Sequence, residues 1–360
     1  MRDKGRVRQE TDPYGLYSLT ESDSRTTVVW SGTSDAKQTG YGEMIRTPIC
    51  DLLGIDYPIV QGGMAWVSTS ELVVAVSEAG ALGILGAGNA SPDWVENQVR
   101  QIKAGTSKPF GVNVPMFSPF VQDVFNICMR ERVPVVTTGA GNPSSYIPAL
   151  KRAGVFIMPV VASVALAKRL ERAGADALVA EGCESGGHIG DVGTLPLVPQ
   201  VVDAVKIPVV AAGGFADGRG LVAALALGAV GIQMGTRFIC TTECAVHPNY
   251  KDMIVKAGDR STITTGHSLG HPVRALRNPM TRKFEELEKQ GLSEAELIEF
   301  GTGKLRLATV NGDVVGGSFM AGQSCGLVND IVPVAELIQR IMSEAEALLK
   351  HLPQYAIPGG

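Results

Sequence analysis

Residues 181–190 read E-G-C-E-S-G-G-H-I-G and directly follow the apolar run 177–180. They supply two carboxylates (Glu181, Glu184), a glycine pair (Gly186, Gly187) and one histidine, His188. Glycines let backbone approach a ligand closely, because no Cβ intervenes. Histidine moves protons near neutral pH. The pattern therefore points to proton transfer beside a closely held ligand, with His188 as the catalytic group. Glu181 and Glu184 have two readings: a paired acid and base, as in a glycosidase, or groups that orient a cofactor chain, a cation or His188. Orientation is the preferred reading. His247, His267, His271 and His351 lack such a setting. His267 and His271 have i, i+4 spacing, but the intervening Ser-Leu-Gly argues against a metal site.

Other residues with chemical potential stand at the ends of further apolar runs. These are Gly62, Gly63 and Met64, then Asn113, Gly213 and Gly214, and finally Gln233, Met234, Gly235 and Thr236. Glycine loops expose backbone N–H groups to phosphate oxygens, and a threonine hydroxyl adds a donor. Amides such as Asn113 and Gln233 suit the polar edge of a planar heterocycle. A methionine such as Met64 offers a soft contact to its face. A phosphorylated aromatic cofactor satisfies all of these, and FMN fits best. Plain turn glycines are the competing explanation.

The elements that must position these residues repeat along the chain. Apolar runs occupy 57–61, 81–85, 109–114, 133–137, 155–161, 177–180, 207–211 and 230–234. Their starts lie roughly 22–30 residues apart, the span of a βα unit. Near-continuous apolar character fits parallel strands covered on both faces. Eight such units predict an α/β fold, a (β/α)8 TIM barrel over residues 44–240, with catalytic groups at the C-terminal strand ends. A doubly wound sheet is the rival, but no G-x-G-x-x-G follows the first run. Loops after the last two strands are where barrels hold phosphate, which is where Gly213-Gly214 and Gly235-Thr236 fall.

Residues 241–330 break the repeat. Helical patterns at 248–257 and 279–290 and a glycine-rich loop within 313–323 predict an inserted helical cap, either a lid over the barrel mouth or inert packing. An amphipathic pattern at 334–352 predicts a C-terminal helix, within 331–360, that packs on the barrel. Residues 1–43 are polar and without period, which predicts a poorly ordered extension.

The chain has 360 residues, 45% hydrophobic, and a net charge of −4. No basic surface is implied, so no nucleic-acid partner is expected. No run approaches the roughly 20 apolar residues that span a bilayer. The six cysteines show no metal spacing and read as reduced thiols of a cytoplasmic protein; a redox pair at Cys240 and Cys244 is the lesser alternative.

The segments Y-P-I-V-Q-G-G-M, P-F-G-V-N, E-S-G-G-H-I-G, A-A-G-G and Q-M-G-T-R-F together resemble the FMN-dependent superfamily of nitronate monooxygenases and enoyl-acyl-carrier-protein reductases II, over about residues 46–350. Nitronate monooxygenases typically carry E-A-G-G-H-R-G, from which Ser185 and Ile189 depart. The chain is more similar to the enoyl reductase branch through E-S-G-G-H-I-G, G-H-P-V-R (270–274) and G-S-F-M-A-G-Q (317–323). Gly193-Thr194-Leu195 matches that branch's T-T-M-like segment only in part. The resemblance implies reduction of an acyl-carrier-protein-bound trans-2-enoyl thioester by NADH or NADPH through FMN, in bacterial fatty-acid synthesis. It further implies a homodimer and a monovalent cation. The alternative it leaves is oxidation of alkyl nitronates with O2. A non-enzymatic FMN binder and a nucleotide-dehydrogenase-like barrel using Cys183 are more distant readings. The basic residues His271, Arg274, Arg277, Arg282 and Lys283 suggest either a steering patch for an acidic carrier protein or 2′-phosphate, or a solvated helix face.

Overall fold

The computed structural model describes the backbone of Glu10–Thr11, Tyr17–Ser22 and Arg25–Trp30, and residues 45–355. Two compact units divide the chain, Met1–Glu43 and Met44–Gly360. In the first, the three strands form an antiparallel sheet. The rest of the extension expected over 1–43 lies outside the described residues.

The second unit is built on parallel strands: β1 (Ile59–Gln61), β2 (Leu82–Gly86), β3 (Phe110–Pro115), β4 (Val135–Gly139), β5 (Phe156–Ile157), β6 (Val160–Val161), β7 (Leu178–Glu181), β9 (Val209–Ala212) and β10 (Ile232–Met234); β8 (Gly187–His188) belongs to a separate small sheet. Their order in the sheet is β5-β4-β3-β2-β1-β10-β9-β7-β6. The two ends, β5 and β6, are pieces of one strand parted by Met158 and Pro159. Proline has no N–H for a ladder, which explains the interruption. Met158 N–H donates to Val136 O at 3.0 Å on one side, and Val179 N–H donates to Pro159 O at 2.9 Å on the other. The sheet therefore meets itself across this seam, and the fold is the α/β TIM-type barrel, with every expected run on a barrel strand.

The strands are buried throughout, and successive side chains alternate between the two faces of the sheet with period two. Val60, Leu82, Ile84, Val135, Val179, Val210 and Ala212 share one inner cluster. Ile59, Leu85, Val136, Leu178, Ala180, Val209 and Ala211 fall in the larger cluster between sheet and helices. The short helix Pro48–Leu53 adds Ile49, Cys50 and Leu53 to the inner cluster, so it closes that core from below β1.

Helices Pro248–Val255, Pro279–Lys289 and Val334–His351 stand where helical patterns were expected. The cap also contains elements that the periodicity did not announce. Strands β11 (Thr262–Thr265) and β12 (Val273–Leu276) join β8 in an antiparallel sheet ordered β8-β12-β11. Helix Glu294–Gly301 and the π-helical turn Leu307–Asn311 complete it. Among the described residues no helix is long and apolar enough to cross a membrane.

Close packing of β2 on helix Ser70–Glu78 depends on Gly83. A Cβ there would lie 2.4 Å from Val73 O, a backbone atom that cannot swing aside. Gly83→Ala is expected to destabilise the protein by about 1–3 kcal/mol. Gly139→Ala, at a position with no atom within 4 Å of the added carbon, is expected to stay within about 0.5 kcal/mol of wild type. Denaturant unfolding of the two variants checks the contrast.

Candidate active site

Strand parity selects which polar residues enter the barrel mouth. Asn113 shares its parity with Gly111, Thr137 with Val135, and Glu181 with Val179. Gln233 is in register with Val60 and Ala212, both inner residues. A polar layer of Asn113, Thr137, Glu181 and Gln233 thus caps an apolar interior. Asn113 Nδ2 donates to Thr137 Oγ1 at 2.9 Å. Thr137 was missed as a site residue; its parity with Val135 is the signal that finds it.

The end of β1 lies against the same layer. A Cβ on Gly63 would fall 2.3 Å from Asn113 Cβ, and one on Gly62 would fall 3.0 Å from the Gln233 side chain. Gly62 N–H donates to Met234 O at 2.9 Å. Met64 Sδ stands 3.3 Å from where a Cβ of Gly235 would be. Gly62, Gly63, Met64, Asn113, Gln233, Met234 and Gly235 are therefore brought together. Gln61 is not part of the opening: it is fully buried and braces Ile84 N–H and Ser68.

Gly213 and Gly214 have φ of +93° and +86°, conformations that favour glycine. A Cβ on Gly213 would lie 2.7 Å from Gly182 O. Among the described residues, the amides of Gly214, Gly235 and Thr236 donate to no backbone acceptor. Thr236 also begins the short helix Thr236–Ile239. Its Oγ1 accepts from Gly322 N–H at 2.8 Å, which leaves its own proton to donate elsewhere.

The histidine loop is held from several sides. Gln323 N–H donates to Glu184 O at 2.8 Å, and Ile189 N–H to Pro272 O at 3.0 Å. Gly187 and His188 are in register with Arg274 and Val273. Arg274 is buried and donates from Nε and Nη2 to Cys183 O at 3.1 and 3.0 Å, and from Nη1 to Thr262 Oγ1. It is therefore a brace, and the suggested basic patch loses it. Gly186 is required by the cap loop, because a Cβ would fall 2.7 Å from Ala321 C and Gly322 N. Gly187 has φ +77°.

The two glutamates part company. Glu184 accepts from Thr194 N–H at 2.9 and 3.0 Å, and Thr194 Oγ1 lies 2.8 Å away, so the carboxylate satisfies the start of helix Thr194–Val202. Glu181 points into the mouth, and burial pushes its carboxyl up to about 7, with Ser185 acting against the rise. The Ser185 hydroxyl makes no full hydrogen bond; its Oγ is buried and unpartnered among the described residues. His188 is exposed at the opening, with its ring 5.1 Å from the Phe117 ring. Surrounding protein disfavours its charged form, and His271 adds repulsion, so its pKa lies below the usual 6.5.

These observations fit FMN. Unpaired amides at Gly214, Gly235 and Thr236 suit a phosphate. Asn113, Gln233 and the unpartnered Ser185 hydroxyl suit a polar ring edge or sugar chain. Close-packed glycines leave a shallow bed above the inner core.

Comparison with known proteins agrees with this architecture. Residues 46–128 and 118–344 match the nitronate monooxygenase family. FabK of Thermotoga maritima has a similar structure, with a TM-score of 0.85 and 51% identity over 87% of this chain and 100% of that one. A nitroalkane oxidase of Streptomyces ansochromogenes gives a TM-score of 0.75 and 30% identity, over 84% and 99%. A Mycobacterium tuberculosis protein, (3aS,4S,5R,7aS)-5-hydroxy-7a-methyl-1-oxo-octahydro-1H-indene-4-carboxyl-CoA dehydrogenase, is 35% identical over 84% of this chain and 96% of its own length.

Glu181 sets a pH dependence. Its folded pKa is raised above the ordinary 4.5, so its contribution to stability is full below that value and is lost as pH rises through about 7. Thermal unfolding of the flavin-free protein between pH 5 and 8 is expected to show this fall. In Glu181→Gln the fall is expected to shrink; an identical fall in both proteins refutes the assignment.

Proposed function

The chain belongs to the nitronate monooxygenase family and is a flavin-dependent oxidoreductase, and from that premise we propose that it reduces trans-2-enoyl thioesters with NADH or NADPH. One observation carries the choice of reaction. The three segments that separate the reductase branch from the nitronate oxidases are hydrogen-bonded to one another at the mouth. E-S-G-G-H-I-G pairs with G-H-P-V-R through Gly187 and Arg274, Ala275, one residue past that segment, bridges to Met320, and Gln323 N–H reaches Glu184 O. Identity of 51% to FabK, against 30% to the nitroalkane oxidase, supports the same reading. So does the 35% identical relative named for a CoA ester.

FMN, when bound, accepts hydride from the nicotinamide and supplies it to the β-carbon of the enoyl thioester. The protein positions and polarises. Amides of Gly214, Gly235 and Thr236 would hold the cofactor phosphate, and Asn113 and Gln233 would face the ring edge. Met64 and the Gly62-Gly63 backbone would line the bed for its ring. Glu181, with its carboxyl pushed up to about 7 by burial, is partly protonated near neutral pH and can donate as well as accept a hydrogen bond. His188 delivers the proton to the α-carbon as negative charge develops on the thioester oxygen. Its lowered pKa makes the imidazolium a stronger acid, and its exposure lets solvent reprotonate it. Glu184 supports the loop through the Thr194 helix. The physiological substrate in this reading is carried by acyl carrier protein in fatty-acid synthesis, and the enzyme is a cytoplasmic homodimer aided by a monovalent cation.

An anaerobic cuvette tests the reading. NAD(P)H is expected to bleach the flavin, and crotonyl-CoA to restore its colour. Bleaching by an alkyl nitronate, with none by NAD(P)H, overturns it in favour of nitronate oxidation. His188→Ala is expected to slow the recolouring by crotonyl-CoA by roughly 10²–10⁴-fold, with bleaching by NAD(P)H retained.

A further inference from the structure

A second cavity lies outside the flavin bed, between the loop after β1, the start of helix Pro92–Gly105 and the cap. Its volume is about 500 Å³, and Trp66, Trp94, His247 and Arg306 are among the residues that line it. This is within the roughly 300–1,000 Å³ of small-molecule sites. The two indoles meet at 5.8 Å between ring centroids, tilted by 50°. They present apolar, π-rich wall on one side of the space.

The polar side is cationic. Arg306 is exposed and lies over the Trp66 ring, 5.6 Å from its centroid. Among the described residues it takes part in no ion pair. A guanidinium stacked on an indole is oriented in advance, and its outer edge stays open to an anion. His247 Nδ1 accepts from Asn249 N–H at 3.1 Å, so the neutral ring carries its proton on Nε2 and has a donor left. Thr69 and Thr309 are spoken for, by Glu71 and by the carbonyls of Leu305 and Arg306. Among the lining side chains, that leaves Arg306 and His247 as the donors free to meet an anion.

Two irregularities of backbone border the same space. Trp66 has φ +63°, an outlier for a bulky side chain. The turn Leu307–Asn311, which contributes Thr309, is π-helical. Such strain persists where surrounding structure enforces it and clusters at ligand sites.

We infer that this cavity binds the adenosine-phosphate end of a nucleotide, with the adenine on the Trp66–Trp94 wall and the phosphate on Arg306 and His247. Indoles supply the stacking surface a purine needs, and a forked guanidinium fits phosphate. Two sources share this chemistry: the adenosine 2′-phosphate of a nicotinamide dinucleotide and the 3′-phosphoadenosine of a CoA thioester. Which of them reaches the flavin rests on the reductase reading above; the site itself does not.

Two of the three tryptophans line the cavity, so tryptophan emission reports its occupancy. The holoprotein is titrated with adenosine 2′,5′-bisphosphate, adenosine 3′,5′-bisphosphate and inorganic phosphate. A saturable emission change with at least one bisphosphate is expected, weakened roughly tenfold or more in Arg306→Ala and less in Arg306→Lys. The tighter isomer identifies the source. No saturable change, an equal response to inorganic phosphate alone, or an unaltered response in Arg306→Ala overturns the proposal. The readout requires no turnover, so it stands apart from the anaerobic test of the reaction.

Discussion

A glycine-rich strand end cannot hold its own shape, and everything at this mouth depends on how residues 181–190 are pinned. The carbonyls of Cys183 and Glu184 are the anchor points. One receives the buried guanidinium of Arg274 and the other receives Gln323 N–H. Arg274 makes the stronger demand. A buried cation is costly unless its donors are satisfied, and its partners here are a carbonyl and a threonine hydroxyl. Moving the loop would strand that charge. The same constraint explains the glycines opposite: at Gly186 and Gly322 the two backbones come too close for any Cβ. His188 is thereby placed by main chain on both sides, although its own ring faces solvent.

Below this loop, the barrel separates two solvents. Alternation places aliphatic side chains inside up to the level of Ile84, Val135 and Val179. One step further along the strands it places Asn113, Thr137, Glu181 and Gln233. The transition is abrupt, and Glu181 sits on it. Its raised pKa is the electrostatic mark of a carboxyl buried away from water and, among the described residues, in no ion pair. Glu184, three residues on, has a helix start to bind and so serves structure. Identical residue types thus take opposite parts because one points into the barrel and the other along its rim.

Much of this was legible in the chain itself. The eight barrel strands announce themselves because they are buried on both faces, which leaves unbroken apolar runs. Helices with a solvent face, such as Pro279–Lys289, show their period as clearly. The glycines and amides of the mouth were found because strand ends can be counted. Other features leave no local trace. The interruption at Met158-Pro159 lies inside an apolar run that reads as one strand. Strands β8, β11 and β12 are short, and β8 pairs with β12 across about 90 residues of chain, so no local pattern reveals their sheet. Arg274 reads as a surface charge until its strand is seen to pair with Gly187. The Trp66–Trp94–Arg306 cavity joins segments more than 200 residues apart, and only the tertiary fold brings them together.

The hydroxyl of Thr236 has a role beyond donation. It accepts from the cap's Gly322 and sits beside unpaired amides at the end of the last barrel strand. A group that takes the hydroxyl proton makes the oxygen a better acceptor, because hydrogen bonds in series polarise one another. An anion bound at those amides and the Thr236–Gly322 hydrogen bond would then be linked through one oxygen, and linkage is reciprocal. Whatever an anion there would add to the strength of the Gly322 hydrogen bond, that hydrogen bond would add to retention of the anion.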